Sequence, residues 1–202
     1  MSRTRFDHMN CGVGRALEVL GDWWTLLIIR DAFLGLTRFA QFERSLGIAK
    51  NILTDRLAHL VDHGIFERAD VGEAGQRYEY RLTAKGRSVL PVLTALREWS
   101  DDWVFGRGKE PLILTDRRTG KRIAKMRLRD AEGREIALGD LRAIPGPGAT
   151  ADTKRRLAGG NETRPRRPTS GSPPTTSTLT RAPRGARARG GGARGATTAR
   201  DA

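Results

Sequence analysis

Three groups of side chains in this sequence have types and spacings that could do chemistry. The first is Lys50, Asn51, Thr54 and Arg56, in one run between Gly47 and Gly64. Lys50 suits a phosphate or a guanine edge, and Asn51 carries the donor–acceptor pair that reads adenine. Thr54 can hydrogen-bond or touch a thymine methyl. Arg56 suits phosphate, or a bridge to Asp55 or another acid. The second group is Gln76 and Arg77, which follow Gly72-Glu73-Ala74-Gly75. An arginine at such a turn suits the negative potential of a minor groove. The third is Cys11, with Arg15 one turn on. A thiol ahead of a helix and near a cation is a candidate reactive thiolate, and a buried inert cysteine is the alternative.

Other chemistries lack their parts. There is no Gly-rich phosphate loop and no Ser/His/Asp constellation. The three histidines, His8, His59 and His63, do not suggest a metal cage. Asp101 and Asp102 are adjacent, so they point to different sides of a helix and make poor acid–base partners. The expectation is a non-enzyme without metal or cofactor. One cysteine excludes an intrachain disulfide. The longest apolar run, Trp23 to Ile29, ends at Arg30, far short of the ~20 residues of a membrane helix. The first ten residues lack an apolar leader. A cytoplasmic protein with no membrane partner is expected.

The elements that must position these groups can be read from periodicity. Val13, Ala16, Leu17 and Leu20 form a helical stripe closed by Gly21. Asp22 can cap a second helix over 23–33, apolar nearly all round and therefore expected to be central and buried. Thr37 is a candidate cap for a short helix over 38–46. Gly47-Ile48 is a tight turn into a helix over 49–63, with Leu53, Leu57, Leu60 and Val61 inward. Two helices joined by a short Gly-containing turn fit a helix-turn-helix. Residues 65–71 and 77–83 alternate as two strands, and a hairpin placed there is a wing. A long helix over 84–104 follows, with Val89, Val92, Leu93, Leu96, Trp99 and Trp103 on one side and a slight bend at Pro91. This is a mainly α fold with a small β-hairpin: a winged helix-turn-helix with flanking N- and C-terminal dimerisation helices. The long helix has more apolar surface than one such domain needs. Leu93, Leu96, Trp99 and Trp103 are therefore the candidate dimer interface.

Composition divides the 202 residues into three. Residues 1–104 hold 14 basic and 14 acidic side chains. All twelve aromatics lie at or before Phe105, so the main domain should end there. Residues 105–148 hold 11 basic and 6 acidic side chains and read as two or three short strands, a small accessory unit resting on the main domain. Residues 149–202 hold 12 basic and 3 acidic side chains, with no aromatic, Val or Ile. That composition reads as a disordered tail, save a helical turn or two around 153–157. Of the net charge of +14, the main domain carries none. The arginine runs of residues 149–202 suit weak nucleic-acid binding, so a non-specific binder acting through the tail is the alternative function.

Several runs resemble the HxlR-type transcriptional regulators. They are Cys11 to Leu17, Gly21-Asp22-Trp23-Trp24-Thr25 to Asp31, Arg38-Phe39 to Phe42, Gly47-Ile48, Leu53-Thr54-Asp55-Arg56-Leu57, and Tyr78-Glu79-Tyr80-Arg81-Leu82-Thr83-Ala84-Lys85-Gly86. The resemblance covers about residues 10–104. It implies a cytoplasmic homodimer that binds double-stranded DNA at a pseudo-palindromic operator and regulates nearby genes. Some members sense oxidants or electrophiles through an N-terminal cysteine, which here is Cys11.

Overall fold

The computed structural model describes residues 6–72 and 78–160. The chain starts with two helices, α1 (Gly12–Leu20) and α2 (Trp23–Phe33). Gly21 ends the first, and the Asp22 carboxylate accepts the Trp24 N–H at 2.9 Å to cap the second. Ile28 and Ile29 of α2 are fully buried, as are Thr25 and Asp31, so α2 is the central helix. Its first residue departs from the all-round burial expected, since Trp23 stands out to solvent.

Helices α3 (Phe39–Leu46) and α4 (Lys50–Asp62) follow. Helix α3 starts one residue later than its sequence suggests. Arg38 is its cap position, and the Gln41 side-chain oxygen accepts the backbone N–H groups of Arg38 and Thr37. Gly47, at φ 61°, takes the left-handed conformation that turns the chain from α3 into α4. Phe42 from α3, Leu53, Leu57 and Leu60 from α4, and Ile48 from the turn close over Ile28 and Ile29.

Strands β1 (Phe66–Asp70) and β2 (Tyr78–Leu82) pair antiparallel, with Phe66 opposite Leu82 and Arg68 opposite Tyr80. Phe66 meets Phe42 edge-on at 6.3 Å between ring centres. The hairpin is tied to the start of α3: Tyr80 N–H donates to the Thr37 carbonyl at 2.7 Å, and Arg38 pairs with Glu79 at 3.4 Å.

The single helix expected over 84–104 is three pieces: α5 (Ala84–Arg87), α6 (Leu90–Ser100) and a π-helical turn over Asp101–Phe105. The break falls at Ser88-Val89 because Pro91 lacks an N–H and its ring crowds the carbonyl one turn back. Val89 is buried at this break. Gly86 is pressed against the Ile65 carbonyl and Leu82, where no Cβ would fit.

Residues 106–148 form no continuous strand. Two isolated bridges, Thr115 with Arg122 and Arg129 with Glu135, close two hairpin tips. Each tip is locked by an aspartate. Asp116 accepts the Arg118 N–H, and Asp130 accepts the Glu132 and Arg134 N–H groups. Helix α7 (Ala151–Gly160) then runs longer than the turn or two expected. Asn10 anchors its start, accepting from Thr150 N–H at 3.1 Å and the Thr153 hydroxyl at 2.8 Å. Among the described residues, no helix is long and apolar enough to cross a membrane.

Candidate nucleic-acid interface

Helix α4 buries Leu53, Leu57 and Leu60 and leaves its opposite face open. Lys50, Asn51 and Thr54 are exposed there together, beside Asp55 and Ala58. Among the described residues, Lys50 has a single ion-pair approach, to Glu43 of α3 at 3.9 Å. The Thr54 hydroxyl donates to the Lys50 carbonyl at 2.8 Å. Its lone pairs and its methyl remain to meet a base. Among the described residues nothing hydrogen-bonds the Asn51 amide, and its side chain lies in solvent.

Arg56 does not join this group. Its Nε lies 3.1 Å from an Asp22 carboxylate oxygen, so it ties α4 to the cap of α2 and is only about a quarter exposed. Two positions after Thr54, a side chain is turned roughly 200° around a helix. Arg56 therefore sits on the flank facing α2, and its charge is already answered. Gln76 and Arg77, expected at the tip of the wing, lie outside the described residues.

One exposed cation escaped the sequence reading. Arg44, in the last turn of α3, lines a shallow groove with Ala40, Glu43, Gly47 and Ile48. The signal was there: a basic residue one turn before the glycine that ends the first helix of the motif. That helix crosses the DNA backbone in docked helix-turn-helix proteins.

One ion pair, Arg38 with Glu79, joins the hairpin to the start of α3. Glu79 receives Arg81 at 2.8 Å and Arg38 at 3.4 Å. The Arg81 hydrogen bond holds the Glu79 carboxyl below the usual carboxylate range, against the opposing effect of burial and with a lesser contribution from Arg38. Arg68 stacks over the Tyr78 ring at 4.3 Å on the same hairpin.

The remaining candidates are on α1 and α6. Cys11 caps α1 and is half-buried, beside an open cleft that His8, Arg15, Thr150 and Thr153 also line. The Arg15 guanidinium donates to the Asp7 carbonyl, so it is not turned onto the thiol by a bond of its own. On α6 the burial is inverted. Thr94 and Glu98 are buried, with Asp101 of the following π-helical turn, while Leu96, Trp99 and, in that turn, Trp103 are exposed. Leu93 is half-buried against the chain's own core. Val13 and Leu17 of the α1 stripe are also exposed.

Comparison with known proteins agrees with this arrangement. A family model described as HxlR-like helix-turn-helix matches residues 19–107. An uncharacterized HTH-type transcriptional regulator of Mycobacterium tuberculosis is 38% identical over 139 residues, covering 69% of this chain and 88% of the relative. The chain belongs to the HxlR-like helix-turn-helix family. A second relative, an uncharacterized HTH-type transcriptional regulator of Synechocystis, is 36% identical over 106 residues, 52% of this chain and 78% of that one. Two solved structures share the fold. PA1607, described as a candidate transcription factor, is 42% identical with a TM-score of 0.65, covering 71% of this chain and all of that one. PA1374 from Pseudomonas aeruginosa, described likewise, is 37% identical with a TM-score of 0.53, over 72% and 99%. The 139-residue match to the mycobacterial regulator is longer than the 104-residue main domain. The match to that relative thus extends into part of the accessory segment as well. The chain is a transcriptional regulator with a winged helix-turn-helix fold.

Proposed function

We propose that this HxlR-like protein is a cytoplasmic, sequence-specific, dimeric DNA-binding regulator. The observation that carries the reading is the open polar face at the start of α4, with Lys50, Asn51 and Thr54 exposed on a helix whose other side is locked into the core. The N-terminal residues of such a helix meet base edges in the major groove. Asn51 reads adenine, Thr54 offers its methyl and acceptor, and Lys50 and Arg44 bind phosphate. Gln76 and Arg77 reach the adjacent minor groove.

The inverted burial of α6 supports the dimer. A helix that hides Glu98 and Asp101 and shows Trp99 and Trp103 to water needs a partner for its apolar side. Leu93, Leu96, Trp99 and Trp103 form that interface with the α1 stripe. A two-fold dimer reads a pseudo-palindromic operator, with half-sites about one helical turn apart or a multiple of it. Cys11, at the N-cap position of α1, would couple an oxidant or electrophile to the same interface. Cys11→Ser should then bind DNA normally and lose any response to oxidant.

A footprint on the DNA upstream of its own gene tests the reading, at about 0.15 M salt where loose electrostatic binding is weakened. The expected result is a short, two-fold symmetric protected site. Diffuse protection that vanishes when residues 161–202 are removed would contradict it.

A further inference from the structure

The accessory segment has a property that neither DNA reading nor folding of one chain explains. No residue of 106–148 is buried. Eight of its large apolar side chains are exposed, among them Ile113, Ile123, Met126, Leu128, Leu138 and Ile144. The two hairpin tips close through aspartates and backbone, without a side-chain core. Isolated hairpins of this kind are marginal in water, and the entropy of ordering them needs apolar burial to offset it.

The segment is nevertheless fixed, and by polar groups. Glu98 of α6 accepts the Met126 N–H at 3.0 Å, and Arg97 donates to the Leu112 carbonyl at 3.4 Å. Arg97 is itself held by Asp101 at 2.6 Å, and Lys125 pairs with Asp102. The buried polar side of α6 therefore grips the segment by its backbone. Its apolar side chains stay in solvent, with no core of this chain to receive them.

We infer that residues 106–148 are an arm that lies on a second copy of this chain and completes the dimer. The inference rests on the dimer reading above. Two observations select a second copy as the occupant. First, the arm follows in sequence from an exposed apolar end: Trp103, Val104 and Phe105 of the π-helical turn after α6 are exposed, as are Leu112 and Ile113 shortly after them. Secondly, a stable interface takes about 20–30 residues a side, more than α1 and α6 expose between them. The arm supplies the shortfall. Its excess of cations would also suit nucleic acid, but a phosphate backbone leaves the eight apolar side chains uncovered.

Photo-cross-linking of the full chain tests this. A photoreactive phenylalanine analogue replaces Leu128, and light and heavy nitrogen-labelled chains are mixed and allowed to exchange subunits. The cross-linked peptides are then weighed. The expected result is cross-links from position 128 that join light to heavy chains. In parallel, Ile113→Ser with Leu128→Ser should raise the dimer dissociation constant tenfold or more. A dimer by sedimentation whose cross-links join only like-labelled peptides overturns the arm and leaves the dimer reading standing. Cross-links formed only to added DNA overturn it in favour of a nucleic-acid contact. A monomer by sedimentation overturns both.

Discussion

Replacing Trp99 by alanine should break the dimer while sparing the fold of each chain. The indole is 60% exposed, so the core of its own subunit holds little of it. A tryptophan buries at most about 250 Å², so the exposed share is roughly 150 Å², worth about 4 kcal/mol at ~25 cal/mol per Å² if a partner covers it. Alanine keeps part of that contact, and imperfect packing and ordering costs remove more, leaving about 2 kcal/mol per subunit, the usual threshold of a hot spot. The symmetry of a homodimer counts the loss twice. The dissociation constant should therefore rise by about 10³. Sedimentation equilibrium over a wide concentration range reads this directly. Circular dichroism checks that the variant keeps its helices and hairpin. Association unchanged within a few-fold would refute the claim that α6 presents its apolar side to a partner. Loss of the folded signal would show that Trp99 is needed within one chain, which its exposure contradicts.

Four further outcomes follow from the geometry. Lys50→Ala should weaken DNA binding across sequences and reduce the slope of log affinity against log salt by about 1. Arg56→Ala should leave that slope unchanged, because Asp22 already holds its guanidinium; fluorescence anisotropy at several salt concentrations separates the two. Gly86→Ala should lower stability by about 1–3 kcal/mol, seen as a lower midpoint in urea, because the new Cβ must displace the Ile65 carbonyl or Leu82. The Glu79 carboxyl titrates below the usual range, so its tie to Arg81 and Arg38 stabilises the wing above about pH 4.3 and is lost as pH falls below that. Hydrogen exchange along β2 should therefore quicken in acid beyond its intrinsic trend, and Glu79→Gln should remove that excess.

The local grammar of the motif was legible in the sequence. Asp22 caps α2, Gly47 turns α3 into α4, and the Leu53, Leu57 and Leu60 stripe is the inner face of α4, because each depends on neighbours within a turn or two. The grouping of Arg56 with Lys50, Asn51 and Thr54 went beyond the pattern. The helical period places it on another flank, but Asp22, its partner, is distant in sequence. The break before α6 was underestimated, since Pro91 was read as a bend within one helix. The α6 stripe was seen, but which side of that helix the chain itself covers depends on α2 and the arm packing against the other face. Helix α7 owes its start to Asn10, some 140 residues earlier, a contact no local pattern signals. The strands expected in 106–148 came from short apolar runs between turns, and such runs do not specify the partner a strand needs to pair with.

The central claim is that the face of α4 reads sequence, and selection from a random duplex library tests it most directly. Full-length protein and its Asn51→Ala variant are each carried through the selection at about 0.15 M salt. The account predicts a two-fold symmetric consensus for the native protein. In the variant, one adenine position per half-site should relax, at a cost of about 1–3 kcal/mol, with the remaining positions retained. Enrichment of no consensus by the native protein, or an identical consensus from the variant, would contradict it.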